Sequence, residues 1–195
     1  MQDPNEKSLE ASSEKRTEPI DDLARYRAEI EYLESLHWHK FYVFEAGLRI
    51  GGLPVIQLAA HDLSKFSPEE FPYYARHFHG GGDPDGFARA WKHHIGHNPH
   101  HPEYWIFSDG YTPQGSRDVI NGIIPMPEIY VREMVADWWG ASRAYTGSWD
   151  MSDWLTKNLP RIEKKLHPYS IDHLADVLAK IGYIDLVHQM NWPVR

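Results

Sequence analysis

Cysteine is absent from all 195 residues. That rules out disulfides, thiolate nucleophiles and cysteine-bearing zinc sites, and it suits a reducing compartment such as the cytoplasm. Long apolar runs are lacking as well. No stretch approaches the roughly 20 apolar residues needed to span a bilayer, so the chain reads as soluble, with no membrane partner. Positive charge is in deficit, with 20 Lys and Arg against 28 Asp and Glu, a net charge of −8. Duplex nucleic acid is therefore a poor partner, because its affinity depends on neutralising phosphates with Lys and Arg. A small phosphorylated molecule stays open, since a bound cation reverses the local field. There is no internal repeat and no alternating strand pattern, and a homo-oligomer is left open.

The first nineteen residues, MQDPNEKSLEASSEKRTEP, hold one Leu and no aromatic residue. They cannot bury enough surface to offset ordering entropy, so a disordered tail is expected over 1–19, ahead of a single domain over 20–195. Beyond it, eight Trp, eleven Tyr and seven Phe supply a sizeable core.

The apolar periodicity predicts a row of helices. The first covers Ile20 to His39, with Leu23, Tyr26, Ile30, Leu33 and Leu36 or Trp38 as its stripe, and Phe41 to Ile50 as an extension. A second runs from Val55 to Lys65. Ser67-Pro68-Glu69-Glu70 has the order of a capping box and opens a third, ending near Phe78. Gly80 to Gly86 reads as a loop, and Phe87 to His97 as a fourth helix. The stretch 106–125 is aperiodic, a length more common in lids and mobile loops than in plain connectors. Later helices are expected from Glu128 to Arg143, from Asp150 or Ser152 toward Lys165 with an interruption at Pro160, and from Ile171 to Ile181 behind a Ser170 cap. The fold class is all-α, a helical bundle with long loops.

Thirteen histidines are unusual for this length, and most sit in aromatic-rich helical stretches. A carboxylate beside an imidazole at the end of an apolar run, as in His61-Asp62, is costly to bury unless a cation or donors satisfy both. Asp137 repeats that logic, one turn after Glu133. Imidazole nitrogen with carboxylate oxygen suits a divalent ion: Zn, Fe, Mn, Co or Ni, with Mg as a further candidate. His39, His61, Asp62 and Asp137 form one four-ligand set. One of His93 and His94 with one of His100 and His101 supplies a second, and His97 is a further alternate.

An isolated His, an adjacent His-Asp pair about twenty residues later and a distant Asp together resemble the HD-domain superfamily of metal-dependent phosphohydrolases. The stretch His61-Asp62-Leu63-Ser64-Lys65 resembles the His-Asp-x-x-Lys form of some branches. The longer strings HKFYVFEAGLRIGG, HDLSKFSPEEF and WKHHIGHNPHHPEYW are similar to a narrower group of small, uncharacterised HD-like proteins of bacteria and phages. The resemblance implies an HD-like helical fold and one or two divalent ions. It also implies a bridging role for Asp62, hydrolysis of a small phosphorylated substrate such as a nucleotide by activated water, and a phosphate contact from Lys65. His94 and His101 are the inner ligands assigned on this reading, with Asp62 and Lys65 as the catalytic pair. Arg143 and Arg76 are further candidates for binding phosphate, His77 and His79 flank the glycine loop with Arg76, and Trp105 is a candidate for stacking on a base. A diiron oxygenase and a non-catalytic or regulatory metal-binding module share the ligand types and stay open.

Overall fold

The structure is a computed structural model that describes residues 19–107 and 109–194, so the tail expected over 1–19 lies outside the described residues, Pro19 excepted. Among the described residues regular structure is helical, with no strand beyond isolated bridges. The α-helices are α1 (Pro19–Ile50), α2 (Val55–Ala60), α3 (Phe71–His79), α4 (Pro84–His97), α5 (Glu128–Thr146), α6 (Ser152–Ile162), α7 (Pro168–Lys180) and α8 (Ile184–Gln189). The all-α class read from the sequence stands. No helix is long and apolar enough to cross a membrane.

Helix α1 runs unbroken for 32 residues, until Gly51 and Gly52 turn the backbone at φ 73° and 77°. It buries Ala28, Tyr32, Leu36, His39, Val43, Ala46 and Ile50. The stripe expected to face inward does not: Leu23, Tyr26, Ile30, Leu33 and Trp38 are exposed, while Leu36 is buried. The helix carries apolar residues on two faces, and the face with small residues allows its neighbours to approach most closely.

The closest approach fixes the site. Helix α1 packs chiefly on α5, and a Cβ added at Gly140 would stand 2.4 Å from the Val43 backbone nitrogen and 2.6 Å from its Cα. Gly140 lies one turn beyond Asp137, and Val43 one turn beyond His39, so this crossing brings that histidine and aspartate together. Replacing Gly140 with Ala is expected to cost about 1–3 kcal/mol through overpacking against backbone. A thermal melt reads that as a fall of about 2–4 °C per kcal/mol.

Two apolar clusters flank the crossing. The larger joins Val43, Ala46 and Ile50 to Val131, Met134, Leu155, Leu174 and Leu178. The smaller joins Tyr32 and Leu36 to Tyr74, Ala75 and Ala90. His39 falls between them along α1.

Several boundaries move. The helix expected over Val55 to Lys65 stops at Ala60, and Leu63–Phe66 forms a 3₁₀ turn. Asp62 between them is left-handed, at φ 57°. Aspartate tolerates that region better than most residues, and a non-glycine residue held there often marks a functional constraint. The apolar run before it is not a buried helix either, because Val55 and Ile56 are exposed and Leu58 alone of α2 is buried.

Ser67 caps no helix through its side chain; α3 starts at Phe71. Helix α4 starts three residues earlier than expected because Asp83 Oδ1 accepts from Gly86 N at 2.8 Å. His167, not Ser170, caps α7. Ser170 is buried and joins both the amide and the carbonyl of Met126, at 2.8 and 3.1 Å. The last helix, α8, follows Gly182 and was not expected. The long 106–125 connection is pinned at its ends, where Phe107 N donates to Gly122 O at 2.9 Å and Ile124 N to Trp105 O at 2.8 Å.

Candidate metal centre

Four segments deliver the buried imidazoles and carboxylates. Helix α1 supplies His39, the turn after α2 supplies His61 and Asp62, α4 with the turn behind it supplies His94, His100 and His101, and α5 supplies Glu133 and Asp137. His39, His61, Asp62, His94, His100 and Glu133 are all buried. The early end of α2 matters locally. The left-handed Asp62 turns two consecutive side chains inward, which a continuing helix would have splayed about 100° apart.

Asp62 lies at the middle. Its Oδ2 is 3.2 Å from His39 Nε2 and 3.4 Å from His61 Nε2. Its Oδ1 is 3.5 Å from His94 Nε2 and 3.5 Å from His100 Nε2. Asp137 Oδ1 closes the first group, 3.2 Å from His39 Nε2 and 3.5 Å from His61 Nε2. His101 closes the second, its Nε2 2.9 Å from His94 Nε2. Each group of four presents ligand atoms that all lie within 4.8 Å of one another, and Asp62 belongs to both.

Three outer ring nitrogens are tied to carboxylates, whereas that of His39, Nδ1, is buried with no hydrogen-bond partner among the described residues. His61 Nδ1 lies 3.0 Å from Glu133 Oε1, and His100 Nδ1 3.4 Å from the same oxygen. His94 Nδ1 lies 2.9 Å from Glu70 Oε2. Such a partner fixes the tautomer and aims the other nitrogen inward, the usual support of a ligating histidine. Gln57 Nε2 steadies Glu133 at 2.6 Å, and Lys40 Nζ donates to the His61 carbonyl.

The inward atoms are placed to receive a cation. His61 Nε2, His100 Nε2 and Asp62 Oδ1 are buried without a hydrogen-bond partner among the described residues. One unsatisfied polar atom costs about 1–3 kcal/mol, so three that converge make a site where a cation would relieve that cost. The residues present fit a divalent ion in each group, and the site can hold metal.

Residues 28–180 match the profile of a family of unknown function (DUF5662). The chain belongs to that family. No curated protein and no solved structure matches it. The whole centre, from His39 to Asp137, lies inside the DUF5662 span.

Electrostatics in this DUF5662 chain follow from packing carboxylates and imidazoles together without ions. Burial raises the Asp62 pKa, yet His61 and Lys65 outweigh it and hold the carboxyl well below its usual range. Asp137 is held down against burial by His39 and His61, and Glu133, also against burial, is brought to about 2 by His100 and His61. Burial would lower His61, but Asp62 foremost, with Asp137 and Glu133, keeps it well above the usual imidazole value. Burial takes His101 down to about 2, helped by His100, and His100 itself is lowered. A proton on His61 and the charge of Lys65 thus balance carboxylates that divalent ions would otherwise balance.

The candidates from sequence separate cleanly. His39, His61, Asp62, Asp137, His94 and His101 converge, and His100 joins them, so both members of the 100–101 pair are inner residues. His93 instead binds Glu70 at 2.7 Å, and the exposed His97 stacks on His93 at 3.9 Å. Lys65 Nζ reaches Asp62 Oδ2 at 2.5 Å.

Neither arginine is drawn in. Arg76 pairs with Asp83 at 3.7 Å on the exposed side of α3. Arg143 donates to the Gly147 carbonyl at the end of α5 and covers the Tyr42 ring. His77 stacks on Phe87 at 3.7 Å, and His79 faces Glu31. Trp105 packs on Tyr130 and donates to the Pro99 carbonyl at 2.7 Å, which accounts for it structurally.

The sequence pattern does not single out Glu70, and it marks Glu133 only as a companion of Asp137. Glu70 sits where a capping-box glutamate would, and that local signal concealed its role at the histidines. Replacing it with Gln keeps the volume and removes the charge behind His94. Divalent-ion affinity is then expected to weaken about 10- to 100-fold, measured by competition with a chromogenic chelator.

Proposed function

We propose that this chain is a metal-dependent phosphohydrolase acting on a small phosphorylated substrate, with two divalent ions held on either side of Asp62. The observation that carries the reading is the division of labour at that carboxylate: one oxygen faces His39 and His61, the other His94 and His100. A shared carboxylate between two nitrogen-rich groups is the arrangement of a two-ion clamp. The order of the ligands along the chain also resembles that of the HD-domain superfamily.

The ions, when bound, would act as Lewis acids and lower the pKa of a water they hold. The chain's own groups do the rest. Asp62 holds both groups in register. Asp137, with a side chain 17 % exposed, is the most accessible of the first group and can orient a water at the mouth of the site. Lys65 keeps its charge, because Asp62 and Asp137 raise its pKa against burial. It stands beside the centre, where charge on a transferring phosphoryl group needs screening. The imidazole-rich donor set favours Mn, Fe, Co, Ni or Zn over Mg, which prefers oxygen.

A metal-loaded preparation of untagged protein is expected to release phosphate from a phosphomonoester, and chelation to abolish the release. The same donors suit two irons. Protein that carries iron, consumes oxygen and releases no phosphate with any of these ions would overturn the hydrolase reading in favour of an oxygenase. Metal uptake with neither activity would favour a regulatory module.

A further inference from the structure

Two phenols beside the centre have no role in the arrangement so far. Tyr32, on α1, and Tyr74, on α3, are each 4 % exposed, and neither hydroxyl has a hydrogen-bond partner. Buried tyrosine hydroxyls usually find one. Their rings stack with centroids 5.9 Å apart, and Tyr74 meets His94 edge-on at 5.9 Å, so the pair adjoins the second group of ligands. Lys65 Nζ is 5.8 Å from the Tyr74 ring centroid and also touches Asp62. Burial pushes both phenols above their ordinary pKa, so each keeps an O–H to donate.

Two unspent donors and one cation, enclosed beside a pair of candidate ion sites, lack an acceptor-rich, anionic occupant. A carboxylate side chain of this protein does not supply it, since both hydroxyls stay unpartnered among the described residues. We propose that Lys65 and the hydroxyls of Tyr32 and Tyr74 form a subsite for the terminal oxygens of a phosphomonoester. The proposal rests on the hydrolase reading for its substrate class and adds a selectivity. A phosphoryl group with three free oxygens can use all three donors. A diester offers only two such oxygens and leaves one of the three donors unmatched. The preference is therefore for monoesters.

The test uses the full chain loaded with manganese and titrated with inorganic phosphate, as wild type, Tyr32→Phe and Tyr74→Phe. Each hydroxyl donates to a charged acceptor, so each Phe variant is expected to bind phosphate about tenfold more weakly or worse, at unchanged metal content. Removing an orphaned buried hydroxyl should also raise the melting temperature of the phosphate-free protein, by about 2–4 °C. A purely structural hydroxyl would move neither reading this way.

Phosphate affinity within about twofold of wild type in both variants, or no phosphate binding by wild type, overturns the subsite. A lowered melting temperature overturns it too, since the hydroxyls would then be satisfied in the free protein. The two readings come apart in the same experiment. Phosphate binding lost in the Phe variants, with no hydrolysis of 4-nitrophenyl phosphate by wild type, sinks the hydrolase and leaves the subsite. Hydrolysis that is equal in all three proteins, or as fast on the bis(4-nitrophenyl) diester, sinks the subsite and leaves the hydrolase.

Discussion

Asp62→Ala is expected to strip the centre, taking the metal content from about two ions per chain to near none. Asp62 is the one residue common to both groups of four, so its loss removes a donor from each at once. The remaining imidazoles would then face ions without the carboxylate that offsets their charge. Phosphate release should fall by about a thousandfold or more, equivalent to losing roughly 4 kcal/mol of charge stabilisation.

The same substitution leaves Lys65 without its nearest counter-charge and removes the carboxylate that does most to keep His61 protonated. Truncating one partner of a buried pair costs about 3–5 kcal/mol, and the partial exposure of Lys65 places this case toward the lower end. Asp62→Asn separates the two effects: it keeps the volume and one oxygen, so the fold should survive while metal is still lost. Elemental analysis of both variants decides the matter, and full metal occupancy in Asp62→Ala would sink the shared-carboxylate arrangement.

The second large effect is the pH dependence of the metal-free protein. His101 titrates near 2 in the fold against an ordinary value of 6.5, and His100 is lowered too. Below about pH 6.5 the unfolded chain therefore binds protons that the folded one refuses. Stability falls by about 1.4 kcal/mol per pH unit for each such group over its window.

The depressed carboxylates act in the same direction, lower down. Their contribution is complete above the unfolded value and is lost as pH falls toward the folded one, for Glu133 between 4.5 and about 2. His61 has the opposite sign. Its folded value is raised, so its contribution is complete below 6.5 and disappears as pH climbs through the folded value. The chelated protein should be most stable near neutrality and should weaken first on the acid side.

Bound ions add stability in proportion to the logarithm of their excess over Kd, about 2.7 kcal/mol per site at a hundredfold excess. They require unprotonated imidazoles, and His61 keeps its proton to well above the usual value in the ion-free fold, so the gap between metal-loaded and chelated melting temperatures should already be narrowing as pH falls through neutrality. Melts between about pH 5 and about pH 8, with and without chelator, test this. Coincident curves at every pH would mean that no ion occupies the centre.

Much of this centre was legible in the sequence because donor type and helical context survive as local signals. His61-Asp62, His39 and Asp137 stood out as costly groups in apolar surroundings, and they do meet. The choices within pairs were not legible. His93 and His94 are neighbours on α4, and only the packing of α3 against α4 turns one of them to Asp62 and both of them to Glu70. The continuation of Val55–Ala60 into a helix was a fair local reading that a single left-handed residue overrode. The arginines misled for a similar reason: a cation near an active segment reads as a ligand contact until a carbonyl or carboxylate is seen to occupy it.

The sequence by itself determined the helical class, the exclusion of sulfur chemistry and the set of side chains able to bind a divalent ion. Those properties follow from composition and from periodicities a few residues long. Tertiary structure alone decided which face of α1 is buried and which histidines point inward. It also decided that Glu70 and Glu133 support the rings and that Tyr32 and Tyr74 end with unspent donors. These depend on approaches between segments far apart in the chain, such as Gly140 against Val43, whose energies no local pattern encodes.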